Sequence, residues 1–324
     1  MPHGSSKTNE LFTDAALQAD APRCRRSGPD RPAADAADRF AWLRSVRRMR
    51  RARTGSRLGK LARMPGRLLR TRFAHWVAPH EATAKLFFGE RMRVFLPEPV
   101  SHHLYTYGMF EDDLTTILLE HLRPEATLID VGAHFGYYTL LGLRLVGESG
   151  RVHAFEPTPA TYDMLARNVG DRANVRLVRQ AVFSRNGTLR FNDYGRVFSA
   201  FNGYTDPQTR IDPRNSRAYP PTIVACCTLD AYCDQNGVQP DFIKIDAESA
   251  EFDVLQGAEN VLQASRPAIV VELSDLPDQP NGSRCIDYLT RLGYQALEYD
   301  TTGRMRVHPP RDEYHNTRLL FLSA

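Results

Sequence analysis

The sequence predicts an α/β domain with a mostly parallel sheet, preceded by a basic N-terminal extension. Strand-like runs at 128–131, 241–246 and 268–272 contain β-branched apolar residues and are too short for helices, so they indicate buried strands. Segments with apolar residues at helical spacing separate these runs, which is the alternation typical of parallel sheets. The distribution of charge sets the extension apart from the domain.

The extension is strongly basic. Residues 1–76 hold 18 Lys and Arg against 6 Asp and Glu, a net charge of +12, whereas residues 77–324 hold 24 and 32, a net charge of −8. We therefore predict a basic extension at 1–76, disordered or partly helical, and a single domain at 77–324. Apolar residues recur at roughly helical spacing in 40–76, which contains no acid. This segment predicts either contact with anionic lipid or an ordinary solvated extension.

The sequence shows neither a targeting signal nor a cysteine pattern typical of a metal or disulfide site. The sequence has no run of eighteen apolar residues, and its start lacks an apolar segment after a basic one. We therefore expect a cytoplasmic protein without a transmembrane helix or secretory signal, whose extension could lie at the inner face of the membrane. Five cysteines without a Cys-x-x-Cys pair favour reduced thiols over a zinc site or a disulfide framework.

In the N-terminal part of the domain, the sequence predicts secondary structure but no functional site. Short strands are expected at 85–88 and 92–96, where two prolines end the second strand. A helix is expected at 113–121, ahead of the first strand of the parallel sheet.

A glycine turn follows that first strand. Asp130 lies at the end of the strand at 128–131, Gly132 and Gly136 flank the turn, and a helix is predicted at 137–145. This arrangement forms a nucleotide cradle, because glycines let the backbone approach a ligand and the helix amides face it. The alternative is an ordinary strand-turn-helix unit whose glycines serve the turn alone.

The acid in this turn indicates the charge of the ligand. Asp130 stands where a pyrophosphate-binding turn would carry glycine, so its negative charge favours a cationic or zwitterionic ligand over a diphosphate. S-adenosylmethionine fits, because it carries an ammonium and a sulfonium group. His134, inside the turn, is a candidate contact for the cofactor carboxylate or the substrate, or else a solvent-exposed histidine.

A second acid ends the next predicted strand. Glu156 lies about 20 residues after the glycine turn, the spacing of a ribose-binding acid in dinucleotide-type folds. One carboxylate can accept hydrogen bonds from both ribose hydroxyls. Pro157 ends the strand, and Thr158 is positioned to cap a helix at 160–168. A solvated strand end is the alternative interpretation of Glu156.

A long polar segment follows the third predicted strand, at 174–178. Runs at 180–183 and 188–192 flank a turn and predict a hairpin. Residues 195–221 then form a loop too long for a simple connection, so we expect either a substrate lid or a mobile insertion. Candidate lid contacts are Ser199, Asn202 and Tyr204.

The fourth parallel strand, at 241–246, ends in a cluster of charges. Asp246 is the first candidate for a base or substrate-orienting acid, and Glu248 is the second. Lys244 lies on the same face of the strand as Asp246, where it could balance that charge or polarise a substrate oxygen. Glu251 is expected to be the N-terminal carboxylate of a helix at 251–263. A salt-bridged strand end without chemistry is the alternative.

A metal site is not required by this pattern. Asp246, Glu248 and Glu272 could offer oxygens to Mg²⁺, but nothing in their spacing demands an ion. We therefore predict no metal.

Three sequence blocks together carry a family resemblance. They are Ile-Asp-Val-Gly-Ala-His-Phe-Gly-Tyr-Tyr-Thr from Ile129, Val-His-Ala-Phe-Glu-Pro from Val152, and Phe-Ile-Lys-Ile-Asp-Ala-Glu-Ser-Ala-Glu from Phe242. From about Glu111 to the C-terminus the chain resembles the FkbM-type S-adenosylmethionine-dependent methyltransferases. The resemblance implies a Rossmann-like seven-stranded, mostly parallel sheet with helices on both faces and an antiparallel final hairpin.

The resemblance also implies a function and its site. It implies S-adenosylmethionine as the cofactor, an acid near Glu111 close to it, and O-methylation of a hydroxyl on a sugar, glycolipid or secondary metabolite. The chain departs from the family at Ser184, where an acid beside the adenine is usual, and at Ser249, where glycine is usual.

Two other function classes remain open. A non-catalytic nucleoside-binding module fits if Ser184 and Ser249 mark a loss of activity. An NAD-dependent oxidoreductase fits less well, because the chain lacks the glycine at Asp130 and a catalytic Tyr-Lys or His pair. The expected partner is a small-molecule or glycan acceptor, and no feature indicates a specific nucleic acid or an oligomeric state.

Overall fold

The computed structural model describes residues 33–53, 78–197, 199–204, 221–275, 280–300 and 303–323. The helices are α1 (Ala36–Arg53), α2 (Pro99–Tyr107), α3 (Asp112–His121), α4 (Tyr137–Val146), α5 (Pro159–Val169), α6 (Leu229–Asn236), α7 (Glu251–Gln256), α8 (Glu259–Ser265) and α9 (Asn281–Arg291). The strands up to the middle of the domain are β1 (His80–Lys85), β2 (Arg91–Leu96), β3 (Thr127–Val131), β4 (Arg151–Phe155), β5 (Val175–Val178), β6 (Ala181–Val182), β7 (Gly187–Asn192) and β8 (Gly203–Tyr204). The remaining strands are β9 (Thr222–Cys227), β10 (Phe242–Ile245), β11 (Ala268–Leu273), β12 (Tyr294–Tyr299), β13 (Met305–Val307) and β14 (Thr317–Ser323).

The central sheet is mixed. Its described strands follow the order β13-β12-β14-β11-β10-β3-β4-β5. Strands β11, β10, β3, β4 and β5 pair in parallel, and β14 pairs antiparallel with both β11 and β12. The α/β class and the antiparallel end of the sheet are therefore confirmed. The sheet has eight described strands where seven were expected, because the three-residue strand β13 adds an outer edge beside β12.

Alternate residues of the buried strands pack into two different cores. Leu128 and Val152 belong to one hydrophobic cluster, which includes residues of α3, α4 and α5. Ile129 and Ile243 belong to the other, which includes residues of α6, α8 and α9. Because successive side chains of a strand point to opposite faces, the sheet carries helices on both faces, as expected.

Three local predictions need correction. The hairpin expected at 180–192 is wrong, because β9 lies between β6 and β7 and pairs with both. The first strand of the N-terminal hairpin is His80–Lys85 rather than 85–88. The helix expected at 251–263 is divided at Gly257, where a Cβ atom would lie 2.1 Å from the Phe183 carbonyl oxygen, so only glycine allows this close approach.

Helix α1 lies within the predicted extension but packs on the domain. Trp42 and Val46 are buried in the core cluster, and the Arg39 guanidinium donates to the carbonyl oxygens of Leu119, Leu122 and Leu145. Those carbonyls lie at the C-terminal ends of α3 and α4, where a cation satisfies groups that the helix leaves unpaired. The boundary at residue 77 stays a prediction. The expectations for 1–32 and 54–77 fall outside the described residues.

Candidate active site

The glycine turn after β3 lies against the end of β10. Gly132 has φ +73°, and a Cβ atom there would lie 1.9 Å from the Asp246 carbonyl oxygen. Gly136 has φ +98°, and its Cβ would lie 2.7 Å from Leu165 Cδ1 on α5. The positive φ angles and these close approaches explain glycine at both positions, and they are compatible with the cradle and with a purely structural turn.

Lys244 holds this turn in place from the adjacent strand. Its Nζ donates to the carbonyl oxygens of Val131 (3.0 Å) and Gly132 (2.8 Å). It also lies 3.3 Å from Asp130 Oδ1 and 3.6 Å from Asp246 Oδ2. Burial lowers the pKa of Lys244, but the attraction of these carboxylates outweighs burial and leaves the pKa raised. Two of the three ammonium donors are used by the turn, and the nearby carboxylates support the expectation that Lys244 balances the charge of Asp246.

Asp130 does not reach the cavity. Its side chain is fully enclosed, with Oδ2 accepting a hydrogen bond from the Thr139 hydroxyl at 2.7 Å and Oδ1 facing Lys244. The expectation that Asp130 binds the cationic part of the cofactor directly is corrected, because its charge is used within the fold. Its contribution is to hold Lys244, and through it the turn.

A cavity of about 440 Å³ opens above the carboxyl ends of β3, β4 and β10. This edge of a parallel sheet is where α/β proteins bind ligands. The predicted site residues that line it are Gly132, His134, Glu156, Pro157, Lys244, Asp246 and Glu248. Gly136 is not in the lining, because it lies beneath the turn against α5.

Glu156 occupies one side of the cavity. Its Oε1 accepts from the Thr158 backbone amide (3.0 Å) and hydroxyl (2.5 Å), and its Oε2 accepts from the His134 amide at 3.1 Å. Burial raises the pKa of Glu156 to about 7, although these hydrogen bonds oppose the increase. The carboxyl group is thus fixed in orientation at the cavity wall. An apolar wall continues beyond Pro157, formed by Ala181, Val182, Phe183, Leu189 and Phe191.

His134 is a neutral side chain that joins the turn to the predicted lid. Its Nε2 lies 2.8 Å from Ser199 Oγ, and its ring stacks on Phe135 with centroids 4.0 Å apart. Burial and the nearby Lys244 lower the pKa of His134 to about 3. His134 is partly exposed and lines the cavity, so it contacts the predicted lid rather than projecting freely into solvent.

The predicted lid is only partly described. Ser199 and Asn202 line the cavity, and Asn202 accepts a hydrogen bond from the Tyr194 amide at 2.8 Å. The side chain of Tyr204 and residues 205–220 lie outside the described part of the chain. Ser184 does not face the cavity, because its hydroxyl donates to Asp253 at 2.7 Å.

The opposite side of the cavity is acidic. Asp246 and Glu248 lie at the end of β10, and Glu111 and Glu272 face the same space. Desolvation and repulsion from Asp246 raise the pKa of Glu248 to about 8 and that of Glu272 to about 9, even though Glu248 is accessible at the cavity mouth. Glu251 has the expected structural role, since it accepts from the amides of Ala247 and Ser249 at the start of α7.

Arg318 ties two of these acids together and was missed in the sequence. Its Nη2 lies 2.6 Å from Glu111 Oε1 and 2.9 Å from Glu272 Oε1. Tyr138 completes the group by donating its hydroxyl to Glu111 Oε2 at 2.7 Å. These four residues come from four separate segments of the chain, so no local motif could have assembled them. The only available signal was the weak expectation of an acid near Glu111.

Other kinds of site can be judged only for the described residues. Within them, no group of three or more His, Cys, Asp or Glu side chains has the arrangement of a metal site. The four cysteines in the described segments are free thiols. No described helix has the length and apolar character needed to cross a membrane.

Comparison with known proteins identifies the family of the chain. Residues 130–296 match the model of the methyltransferase FkbM domain, which covers more than half of the chain. The chain belongs to this family. The FkbM domain contains all the predicted cofactor-binding and catalytic positions.

Two curated relatives share this domain. Hexuronic acid methyltransferase AglP of Haloferax volcanii is 29% identical over 163 residues, which is 49% of this chain and 61% of the relative. The 2-O-methyltransferase NoeI of Sinorhizobium fredii is 27% identical over 160 residues, 47% of this chain and 65% of the relative. The matched segment thus spans less than two thirds of either relative.

Among solved structures, the methyltransferase FkbM from Methylobacillus flagellatus is similar over 68% of this chain and 52% of its own. Its TM-score is 0.37 and its identity 16%. This overlap is too low to support an argument about fold or function.

The residues present fit S-adenosylmethionine. The cavity is within the usual size range of small-molecule sites, and glycine is obligatory where the backbone lines it. Glu156 offers the ribose an oriented carboxyl group, and the apolar wall from Ala181 to Phe191 offers the adenine a non-polar surface.

Proposed function

We propose that this FkbM-family chain is an O-methyltransferase that methylates a hydroxyl group of a sugar or a similar polyhydroxylated molecule, with S-adenosylmethionine as the donor. The observation that carries the proposal is the continuity of the cavity, which has Glu156 in one wall and Asp246 with Glu248 in the other. The names of the two relatives, a hexuronic acid methyltransferase and a 2-O-methyltransferase, support a sugar hydroxyl as the acceptor.

The cofactor would be held by residues from three elements. The backbone of Gly132 and His134 would face its amino-acid part, Glu156 its ribose, and the segment from Gln180 to Phe183 its adenine. When bound, S-adenosylmethionine supplies an electrophilic methyl group on a sulfonium. The neutral state of His134 suits a contact to this part of the ligand, because it adds no positive charge beside the sulfonium.

The acids at the end of β10 would handle the acceptor proton. Asp246 is our first candidate for the base, with its side chain partly exposed to the cavity and 3.6 Å from Lys244 Nζ. Glu248 is the second candidate, since its pKa of about 8 lies near the pH at which a base works efficiently. Aligning the acceptor oxygen with the methyl group can itself lower the barrier by up to about 7–11 kcal/mol.

Lys244 would act as a positioning residue in this scheme. It fixes the turn through two carbonyl oxygens and keeps Asp246 beside the turn. This role differs from the earlier expectation that Lys244 could polarise the substrate oxygen.

The test of the function is transfer of a labelled methyl group. The protein would be incubated with methyl-labelled S-adenosylmethionine and separate panels of sugars, glycolipids and secondary metabolites, and the products examined by NMR for an O-methyl signal. We expect a labelled methyl ether that is lost in an Asp246→Asn, Glu248→Gln double variant. Cofactor binding without transfer to any panel would instead favour the non-catalytic nucleoside-binding module.

We further propose that α1 contacts an anionic membrane surface. Its outer face carries Arg44, Arg47 and Arg48, all exposed, and Phe40, which is 58% exposed and lies 4.8 Å from the Arg44 guanidinium. A basic helix face with an aromatic side chain is the composition of a peripheral lipid contact.

A further inference from the structure

The part of the cavity assigned to the acceptor has an excess of carboxyl groups. We define the acceptor lobe as Glu111, Tyr138, Asp246, Glu248, Glu272 and Arg318, all of which line the cavity. Four of these six side chains are acids and one is a cation. A cluster of acids could be a purely structural network, but here it lies in the wall of a ligand-sized cavity that the cofactor side chains also line.

The cations at this lobe are already paired. Arg318 Nη2 lies within 2.9 Å of both Glu111 and Glu272. Lys244 lies beneath the lobe and is shared between Asp130 and Asp246. Within the described lining, both cationic side chains therefore have two carboxylates each, and Glu248 has no cation within ion-pair distance.

The hydrogen-bond donors and acceptors of the lobe also favour a ligand that is rich in donors. Arg318 donates through Nη2 to Glu111 and Glu272, and its buried Nε is not accessible from the cavity. The carboxyl oxygens of the lobe outnumber its N–H and O–H groups and can accept hydrogen bonds from several donors at once. A ligand rich in hydroxyl and ammonium donors satisfies this surface, whereas an added carboxylate or phosphate would lie beside Asp246 and would gain nothing from the acids that hold protons.

We propose that the acceptor is a hydroxylated molecule that carries a positive charge, of the amino-polyol class, in which an ammonium group lies against the acceptor lobe. The affinity for the acceptor then depends on its charge: cationic acceptors bind most tightly, neutral polyols less tightly and carboxylate-bearing sugars least tightly. This inference rests on the proposed function, since it assigns the lobe to the methyl acceptor. It also separates this chain from its hexuronic acid-specific relative, whose acceptor is an acid by name.

The protonation of the lobe agrees with this ranking. Burial raises the pKa of Glu111, Glu248 and Glu272, and repulsion from Asp246 raises all three further. The empty lobe thus binds protons to reduce its own negative charge. An ammonium group would take over that role, so its binding would release protons to the solvent.

The test compares three ligands that differ mainly in charge. Methyl glucosaminide, methyl glucoside and methyl glucuronide would be titrated calorimetrically into protein saturated with S-adenosylhomocysteine, near neutral pH and at low salt. We expect the glucosaminide to bind at least about tenfold more tightly than the glucuronide, with the glucoside between them. Equal or tighter binding of the glucuronide would overturn the proposal, and so would failure of all three to bind.

Variants locate the selectivity within the lobe. Glu272→Gln should reduce the ratio of the glucosaminide affinity to the glucuronide affinity. Glu148 is an exposed acid just after α4, and Glu148→Gln should leave this ratio unchanged. A ratio that Glu272→Gln does not alter would overturn the assignment to this lobe. Binding of S-adenosylhomocysteine is measured in the same titrations, so loss of the cofactor site, which would contradict the proposed function, is distinguished from a wrong acceptor class.

Discussion

Lys244 and Asp130 are register partners on the adjacent parallel strands β10 and β3, and their charged groups lie 3.3 Å apart in a nearly solvent-free environment. Both side chains are at most 1% exposed. A buried pair of this kind contributes little net stability, but removing one partner leaves the other as an uncompensated buried charge. The pair therefore enforces the position of the glycine turn more than it adds to the free energy of unfolding.

The first prediction concerns this pair. Lys244→Met should lower the free energy of unfolding by about 3–5 kcal/mol, because Asp130 would then be buried without a countercharge. Combining it with Asp130→Asn should recover part of that loss. Urea denaturation measures both effects, with Lys85→Met at an exposed position of β1 as the matched control, expected to change stability by less than about 0.5 kcal/mol. If Lys244→Met is as stable as Lys85→Met, Lys244 does not compensate a buried charge on Asp130.

The second prediction separates the two candidate bases. If Asp246 is the base, Asp246→Asn should reduce turnover by about 10²–10⁴ and leave cofactor affinity nearly unchanged, because it removes the proton acceptor alone. Glu248→Gln should then have a smaller effect. If turnover instead rises with an apparent pKa near 8 and this limb disappears in Glu248→Gln, the base is Glu248. Wild-type turnover in both single variants would exclude a role for either carboxylate as the base.

The third prediction is a stability profile against pH. In the unfolded chain Glu248 and Glu272 titrate near about 4.3, whereas in the fold their pKa values are about 8 and about 9. The folded state therefore binds more protons than the unfolded state between these values, and the free energy of unfolding decreases as pH rises. The pKa values of His134 and His153 are lowered in the fold, so these residues change the free energy of unfolding with pH only below about pH 6.5.

We therefore expect the melting temperature of the ligand-free protein to fall between about pH 6.5 and 9. Glu272→Gln should flatten the decrease, since it removes one of the carboxyl groups with raised pKa values, which also include Glu156 and Glu251. Glu148→Gln should retain the wild-type slope. Thermal unfolding followed by circular dichroism at a series of pH values gives the comparison, and a melting temperature that rises over this interval would contradict the raised pKa values.

The fourth prediction concerns α1, whose two faces should respond differently to mutation. Arg39→Ala removes the hydrogen bonds to Leu119, Leu122 and Leu145 and should lower the free energy of unfolding by at least about 1.5 kcal/mol. Reversing Arg44, Arg47 and Arg48 to Glu on the exposed face should leave stability nearly unchanged but abolish salt-sensitive sedimentation with phosphatidylserine-containing vesicles. Changing the same three residues to Lys preserves the charge and should preserve binding. Equal sedimentation of the Glu and Lys variants would exclude the electrostatic membrane contact.

The sequence was most informative where function depends on neighbours along the chain. Gly132, Glu156 and Asp246 could be placed because each follows a strand directly, and parallel strands bring their carboxyl ends to one edge. Asp130 was assigned to the right turn but to the wrong contact. Its buried partner Lys244 lies more than one hundred residues away, and strand order alone makes the two residues adjacent.

Long-range arrangements account for what the sequence could not predict. Arg318 reaches Glu111 across 207 positions, because β14 enters the sheet beside β11 rather than at its edge. The same kind of crossover inserts β9 between β6 and β7, which removes the expected hairpin. A helix in the basic segment was anticipated from its apolar spacing, but the sequence did not indicate that α1 would pack on the domain or that Arg39 would donate to helix ends there.

The central claim is that this chain binds S-adenosylmethionine through the cavity wall that contains Glu156. Calorimetric titration of the folded wild type and of Glu156→Ala with S-adenosylmethionine tests it most directly, with Glu148→Ala as the control. We predict one saturable site per wild-type chain and a loss in Glu156→Ala of about 1.5–3 kcal/mol, the range for a hydrogen bond to a charged group. Absence of binding to the wild type, or an unchanged affinity in a folded Glu156→Ala variant, would contradict the account.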